Sequence, residues 1–290
     1  MFFDVHAHVY KYPYLTPGGF ELFLTPEERV VREKELGIHR SVLLPIVSSE
    51  TYMPQSVGEV IELAERSDGK WIPFCNIDPR VYSNSSDAPI GMLLEFYQNK
   101  GCKGIGEVLP NLQLIDPRFQ NLLKCVERIG MPLLFDITGS LNRGYGIYDD
   151  PGLPQLEYCL EKYPNLHFIG HGPAFWAEIG TLRNPADRFT YPSYEIDDEG
   201  RVPYLLRTYP NLWFDLSAGS GLNALKRDSD YAVTFLHEFS DRGMYGTDLC
   251  YRDQPSPIGD LLVDLRDTGK LGNKEFDAIA CGNITRLLGV

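Results

Sequence analysis

Basic residues are scarce in this chain, and they do not cluster. The 290 residues contain 27 Lys and Arg against 40 Asp and Glu, which gives a formal net charge of −13. Nucleic acids and anionic membrane surfaces are recognised by clustered Lys and Arg. The composition therefore argues against both as partners and leaves a small molecule as the expected one.

Long apolar runs, a secretory signal and paired cysteines are also missing. No apolar run approaches the roughly 18 residues of a membrane span. Asp4 and His6 interrupt the N-terminal apolar stretch, and no small-residue cleavage site follows it. The six cysteines lie far apart without a C-x-x-C pair, so we expect reduced thiols, several of them in the core. A cytoplasmic location is the expectation.

What the chain does contain is one repeated unit: a short β-branched or aromatic strand, a turn, and an amphipathic helix. The predicted strands are Phe2 to His8, His39 to Ile46, Trp71 to Ile77, Cys102 to Glu107, Met131 to Ile137, Leu166 to His171, Leu212 to Leu216 and Gly243 to Thr247. Eight strands alternating with helical segments predict a closed parallel (β/α)8 TIM barrel, an α/β fold spanning residues 1–290 as a single domain.

Helix signals support this alternation. Thr25, Pro26 and Glu28 form a capping box ahead of a helix that should end at Gly37. The alternative architecture is an open doubly wound sheet, which the same alternation permits. It is the weaker prediction because no G-x-G-x-x-G or Walker-type glycine loop follows any strand.

Two histidines end the first strand. His6 and His8 are one residue apart, so on a strand they point the same way. Imidazole is the commonest protein ligand for zinc and its neighbours, and a rigid strand holds both rings ready. The alternative is an exposed strand end that carries two surface histidines.

Further ligand-type side chains end the later strands: Glu107, Asp136, His171, Asp215 and Asp248. In a barrel the carboxyl ends of the strands form the catalytic face. Any one of these residues alone is more often a helix cap or a structural group. Together they would repel one another without a cation, so the ring predicts a bound divalent ion.

The motifs D-V-H-A-H, G-I-G-E, F-I-G-H-G and Y-G-T-D-L occur in strands one, four, six and eight. In this combination the chain resembles the amidohydrolase superfamily, in the amidohydrolase-2 branch that includes aminocarboxymuconate-semialdehyde decarboxylase. The resemblance implies a (β/α)8 barrel with one divalent metal, usually zinc. His6, His8, a strand-five histidine and Asp248 would bind it, and His171 would serve in catalysis. Members often form dimers, so a homodimer is implied as well.

The chain departs from that pattern at strand five, where Asp136 stands in place of the histidine. Glu107, at the end of the neighbouring strand, is the natural compensation, unless it forms a salt bridge with Lys103. The preferred ligands are His6, His8, Glu107 and Asp248, with Asp136 as a fifth ligand or a substrate-side acid. Zn²⁺ is the expected metal, and these ligand types also suit Mn²⁺ and Fe²⁺.

Three functions remain open from the sequence. The first is a hydrolase of a small amide, lactone or ester, in which Asp248 takes a proton from water and His171 assists. The second is a non-oxidative decarboxylase of a carboxylated substrate, and the third is a degenerate binding module.

Two residues are predicted to bind substrate: Trp176, in a long aromatic loop over the barrel mouth, and Arg252. A cationic clamp for a carboxylate could also come from loop arginines: Arg143, Arg183 and Arg188.

Overall fold

The structure is a computed structural model that describes residues 1–51 and 54–290. Its strands are β1 Phe2–Ala7, β2 Tyr14–Leu15, β3 Glu21–Leu22, β4 Ile38–Leu43, β5 Trp71–Pro73, β6 Ile105–Val108, β7 Leu133–Thr138, β8 Ile147–Tyr148, β9 Phe168–His171, β10 Leu212–Asp215 and β11 Gly243–Met244. Its α-helices are α1 Pro26–Glu35, α2 Val57–Glu65, α3 Ile90–Asn99, α4 Pro117–Ile129, α5 Pro154–Lys162, α6 Pro173–Ala177, α7 Arg201–Thr208, α8 Ala218–Lys226, α9 Ser229–Phe239, α10 Ile258–Asp267, α11 Asn273–Asp277 and α12 Asn283–Leu288.

Parallel pairing closes the strands into a barrel. One set pairs in the order β1-β4-β5 and the other in the order β6-β7-β9-β10-β11. The two sets join at a bridge between Cys75 and Ile105, and Val5 N–H donates to the Tyr245 carbonyl across the other seam at 3.0 Å. Because both seams are hydrogen-bonded, the predicted (β/α)8 barrel is confirmed and the open doubly wound sheet is wrong.

Apolar side chains pack on both faces of the barrel strands. Inside the barrel, one buried cluster includes Phe3, Val5, Phe74, Trp213 and Ile284 of α12. A larger cluster lies between the strands and the surrounding helices. This division is the one expected when inward-facing strand residues pack on each other and outward-facing ones pack on helices.

Helix α1 begins where the capping box predicts. Thr25 accepts from Glu28 N–H, and the Glu28 side chain accepts in return from Thr25 N–H at 3.0 Å. The predicted third strand is shorter than expected and ends at Pro73. Beyond it the Asn76 side chain donates to the carbonyls of Pro45 and Glu107, so polar side-chain bonds replace part of the strand ladder.

Three features lie outside the sequence prediction. The loop after β1 folds into the β2–β3 hairpin, and the short strand β8 pairs with β7. The small residues after β10 form helix α8. Within residues 1–51 and 54–290, no helix is long and apolar enough to cross a membrane.

Candidate metal centre

His6 of β1 and His8, directly after that strand, turn one nitrogen each toward the same point. His6 and His8 are both buried, and their Nε2 atoms lie 3.1 Å apart. On the opposite side of each ring, His6 Nδ1 contacts Asp215 Oδ2 at 2.7 Å and His8 Nδ1 contacts the Leu44 carbonyl at 2.9 Å. These acceptors favour the Nδ1–H tautomer, which leaves both Nε2 lone pairs free for a metal ion.

Two carboxylates complete this arrangement. Glu107 Oε2 lies 3.4 Å from His6 Nε2 and 3.5 Å from His8 Nε2. Asp248 Oδ1 lies 3.6 Å and 3.4 Å from the same two nitrogens. Donor atoms about 2.1 Å from a shared ion, at bond angles of about 90 to 120°, are separated by about 3.0 to 3.6 Å. The five distances therefore fit one divalent ion held by these four side chains.

The charges in this group also call for a cation. Burial by itself would lower the pKa of His6, but the carboxylates of Asp248 and Glu107 and the hydrogen bond to Asp215 raise it well above its ordinary value. For Glu107 the two effects have the opposite signs. Burial alone would raise its pKa, but the neighbouring His6 and His8 hold that pKa well below its usual range. Side chains that stabilise positive charge so strongly suit a bound cation.

A buried polar cluster positions the two ends of this site. Asp4 Oδ1 accepts from the backbone N–H of His6 at 3.0 Å and of Thr247 at 2.9 Å. Asp248 N–H in turn donates to the His6 carbonyl at 2.9 Å. Arg29, fully buried, donates to Asp4 Oδ2 at 2.5 Å. Asp4 thus ties β1 to the turn that carries Asp248, although the sequence analysis assigned it no role.

Two glycines precede Glu107 in the G-I-G-E motif. A Cβ on Gly104 would lie 2.3 Å from the Phe74 ring, and one on Gly106 would lie 3.1 Å from Leu134 Cβ. The two glycines therefore make room for core side chains, while Glu107 itself reaches the histidines.

Asp215 holds two histidines at once. Its Oδ2 contacts His6 Nδ1 and also lies 3.1 Å from His171 Nδ1. Its Oδ1 accepts from Ser217 N–H at 2.9 Å, so it also caps backbone, as the sequence suggested. Burial alone would raise the pKa of Asp215, but its bonds to His171 and His6 lower it. The position of Asp215 at a strand end, like the other site residues, was the signal for this larger role.

His171 stands beside this group with one nitrogen toward Asp248. Its Nε2 lies 4.0 Å from Asp248 Oδ2. Burial and the nearby His6 would lower the pKa of His171, but the hydrogen bond and charge of Asp215 outweigh them and raise it. The imidazole is therefore suited to donate a proton or a hydrogen bond next to the carboxylate.

Asp136 borders the centre on another side. It is 5% exposed, and its Oδ1 has no hydrogen-bond partner among the described residues. Burial and the negative charge of Glu107 raise the pKa of Asp136 to about 7. One of its carboxylate oxygens lies within 4.8 Å of a carboxylate oxygen of Glu107 and of a ring nitrogen of His171, so these three groups could also share an ion.

A cavity of about 210 Å³ opens onto these residues. Carboxylates and aromatic rings dominate its wall, which consists of His8, Tyr10, Tyr14, Leu22, Phe23, Ile46, Glu50, Thr51, Glu107, Leu109, Asp136, Tyr145, Asp248 and Cys250. No Lys or Arg lines it within residues 1–51 and 54–290. The structure thus brings His6, His8, Glu107, Asp136, His171 and Asp248 together at one end of the barrel.

The structure does not bring the predicted substrate-binding residues to this cavity. Trp176 is 2% exposed, donates from Nε1 to the Asp215 carbonyl at 3.0 Å and packs edge-on against Phe214. Burying a large aromatic ring is more favourable than exposing it on a loop, so Trp176 packs in the core. The Arg252 side chain is 65% exposed, and its nearest ion-pair partner is Glu28 at 4.0 Å.

The other arginines considered for a clamp also lie elsewhere. Arg183 pairs with Asp197 on the surface at 2.6 Å. Arg188 is buried against Glu178 at 2.7 Å, and Arg143 is exposed and outside the cavity wall. Because none of them faces the cavity, the cationic clamp for a carboxylated substrate is not present among these residues.

Comparisons with known proteins show which family this chain belongs to. A family model described as amidohydrolase matches residues 133–290, and no curated protein matches the chain. Among solved structures, the chain is similar to a probable 2-pyrone-4,6-dicarboxylic acid hydrolase from Acinetobacter baumannii with citric acid bound. The identity is 14%, the match covers 100% of this chain and 99% of that one, and the TM-score is 0.63.

Two further structures show the same barrel. An amidohydrolase from Burkholderia multivorans with bound zinc has 14% identity, coverage of 100% and 99%, and a TM-score of 0.64. A 5-carboxyvanillate decarboxylase from Sphingomonas paucimobilis has 14% identity, coverage of 92% and 84%, and a TM-score of 0.58. Likeness at this identity shows the fold alone, whereas the family match covers more than half of the chain. The protein belongs to the amidohydrolase family, in the amidohydrolase-2 branch that its motifs predict.

Proposed function

We propose that this protein is a metal-dependent hydrolase that uses an activated water to cleave a small amide, lactone or ester. The observation that carries the proposal is the set of four inward-facing donor atoms, from His6, His8, Glu107 and Asp248, whose separations of 3.1 to 3.6 Å suit one ion. Zn²⁺ is the proposed ion because two imidazoles and two carboxylates are common zinc ligands. Mn²⁺ and Fe²⁺ accept the same donors.

A divalent ion at this position would supply Lewis acidity, polarising a substrate carbonyl and lowering the pKa of water towards about 7. The protein side chains would manage the protons. Asp248 turns Oδ1 to the histidines and Oδ2 to His171, so one oxygen can bind while the other accepts a proton from the attacking water.

Two further side chains, His171 and Asp136, would act on the substrate. His171 is held through Nδ1 by Asp215, which fixes its Nε2 beside Asp248, where it would stabilise the developing oxyanion. Asp136 is buried beside Glu107 and His171, and its Oδ1 has no hydrogen-bond partner among the described residues, so it would carry the proton that a leaving group needs. This is the substrate-side acid role.

The cavity wall favours hydrolysis of an uncharged group over decarboxylation. A decarboxylase binds a carboxylated substrate, and such substrates are usually held by Arg or Lys. The wall contains carboxylates and no basic residue within the described part of the chain. The similar barrel structures include both a hydrolase and a decarboxylase, so the charge of the cavity wall is what favours the hydrolase here.

The experiment is turnover of a panel of esters, lactones, amides and aromatic carboxylic acids by zinc-loaded protein in H₂¹⁸O. Hydrolysis places ¹⁸O in the product acid, whereas decarboxylation releases carbon dioxide. Asp248→Asn should lower kcat by about 10²- to 10⁴-fold. Asp253→Asn, at an exposed position of the same loop, is the matched control and should keep wild-type activity. Carbon dioxide release without ¹⁸O incorporation would support the decarboxylase, and zinc-loaded protein inactive on the whole panel would contradict the proposal.

A further inference from the structure

A tyrosine follows the metal-binding histidines in the same alternation. Tyr10 comes two residues after His8, lines the cavity and is 5% exposed. Its backbone N–H donates to the Leu24 carbonyl at 2.9 Å. Its ring stacks on Phe23, with centroids 4.7 Å apart and planes 10° apart. Backbone and ring are both held in place, so the position of the hydroxyl is fixed as well.

The Tyr10 hydroxyl has no hydrogen-bond partner among the described residues. A buried polar group without a partner costs about 1 to 3 kcal/mol, and buried Tyr hydroxyls usually find a partner. Stacking on Phe23 prevents the ring from swinging into solvent. The Tyr10 hydroxyl can therefore donate one hydrogen bond to an acceptor on a molecule bound in the cavity.

The surrounding wall limits what that acceptor can be. Tyr14, Phe23 and Tyr145 give the wall flat apolar surface. Outside the metal centre, the wall also carries the carboxylate of Glu50, which Arg80 holds at 2.7 and 2.8 Å. Arg80 is thus committed to Glu50 and does not line the cavity. An anionic substituent here would lie among carboxylates, whereas a neutral oxygen on an apolar or aromatic group would not be repelled.

We propose that Tyr10 is a specificity-determining residue whose hydroxyl donates to an uncharged oxygen on a flat, apolar part of the substrate. The carbonyl, ether or hydroxyl oxygen of an aromatic compound has this chemistry. The inference rests on the proposed hydrolase function and narrows its substrate to one without a carboxylate at that end. It also separates this chain from the probable 2-pyrone-4,6-dicarboxylic acid hydrolase and the 5-carboxyvanillate decarboxylase, which are named for carboxylated compounds.

The test uses benzohydroxamates, which bind divalent ions and carry a ring into the cavity. Unsubstituted, acetyl and carboxylate forms, each substituted at the 3 or 4 position, are titrated into zinc-loaded protein by calorimetry. A neutral hydrogen bond is worth about 0.5 to 1.5 kcal/mol, so the better acetyl probe should bind about 2- to 12-fold tighter than the unsubstituted one. The carboxylate probes should bind at least about 10-fold more weakly than the acetyl probes.

Variants identify the donor. Tyr10→Phe should remove the acetyl advantage, leave the unsubstituted probe unchanged and not lower Tm, because the hydroxyl has no partner within the fold. Tyr12→Phe, at a side chain that is 80% exposed, is the control and should bind every probe as the wild type does. Leu22→Arg, on the cavity wall, should improve binding of the carboxylate probes.

Several results would overturn the inference. One is an acetyl advantage that survives in Tyr10→Phe or that is absent from the wild type. Another is tightest binding of the carboxylate probes to the wild type, and a third is a Tm that falls by several degrees in Tyr10→Phe. Failure of every hydroxamate to bind would instead contradict the metal centre itself, and the inference would fall with it.

Discussion

Asp215→Asn tests whether the buried carboxylate orients His6, one of the proposed metal ligands. Oδ2 of Asp215 accepts from His6 at 2.7 Å, and Oδ1 accepts from Ser217 N–H at 2.9 Å. An asparagine keeps one oxygen, so its NH₂ group must face either the Ser217 N–H or His6 Nδ1. The first choice opposes two donors, and the second favours the His6 tautomer with its proton on the metal-facing nitrogen.

Either choice should weaken metal binding without removing a ligand. Loss of such an orienting partner typically costs 10- to 100-fold in metal affinity, which corresponds to about 1.4 to 2.7 kcal/mol. The assay is the zinc Kd by competition with a fluorescent chelator, with circular dichroism to confirm folding. Asp197→Asn is the control, since that side chain is 66% exposed and pairs with Arg183 on the surface. A Kd within twofold of the wild type in folded Asp215→Asn would refute the reasoning.

Three other predictions follow from the same contacts. Glu107→Gln should empty the site of zinc while Asp136→Asn keeps it, and elemental analysis showing the reverse would assign the ligand role to strand five. Asp248→Asn should lose turnover even when loaded with metal, because an amide cannot accept the proton of the attacking water, and near-native kcat would remove it from the mechanism. Partial burial would raise the pKa of Glu50, but hydrogen bonds from Arg80 and Ser48 lower it to about 2. The stability this provides is therefore present above about pH 4.5 and lost as the pH falls towards 2. Arg80→Gln should consequently raise the pH of acid unfolding followed by circular dichroism, and an unchanged midpoint would contradict that pairing.

The barrel and most residues of the candidate metal centre could be predicted because both depend on local patterns. Strand and helix periods, a capping box at Thr25 and ligand-type residues at strand ends are all visible in the sequence. The structure brings His6, His8, Glu107 and Asp248 into the arrangement expected of a metal site. Their role as ligands stays a proposal, as do the single domain, the homodimer and the cytoplasmic location.

What could not be predicted depends on contacts between residues far apart in the chain. Trp176 looked like part of a loop over the mouth, but it packs in the core because Phe175, Phe214 and Phe235 surround it. The link from Asp4 to Thr247 spans nearly the whole chain and requires the closed barrel to form. Asp215 reaches two histidines only because β1, β9 and β10 converge at one end.

The central claim is that His6 and His8 bind one divalent ion between them. It is tested most directly by anomalous diffraction at the zinc edge from crystals of zinc-loaded protein. The account predicts a single strong peak about 2.0 to 2.2 Å from His6 Nε2 and His8 Nε2, with Glu107 and Asp248 oxygens at similar distances. A well-ordered map in which no peak lies within about 2.5 Å of either nitrogen would contradict it.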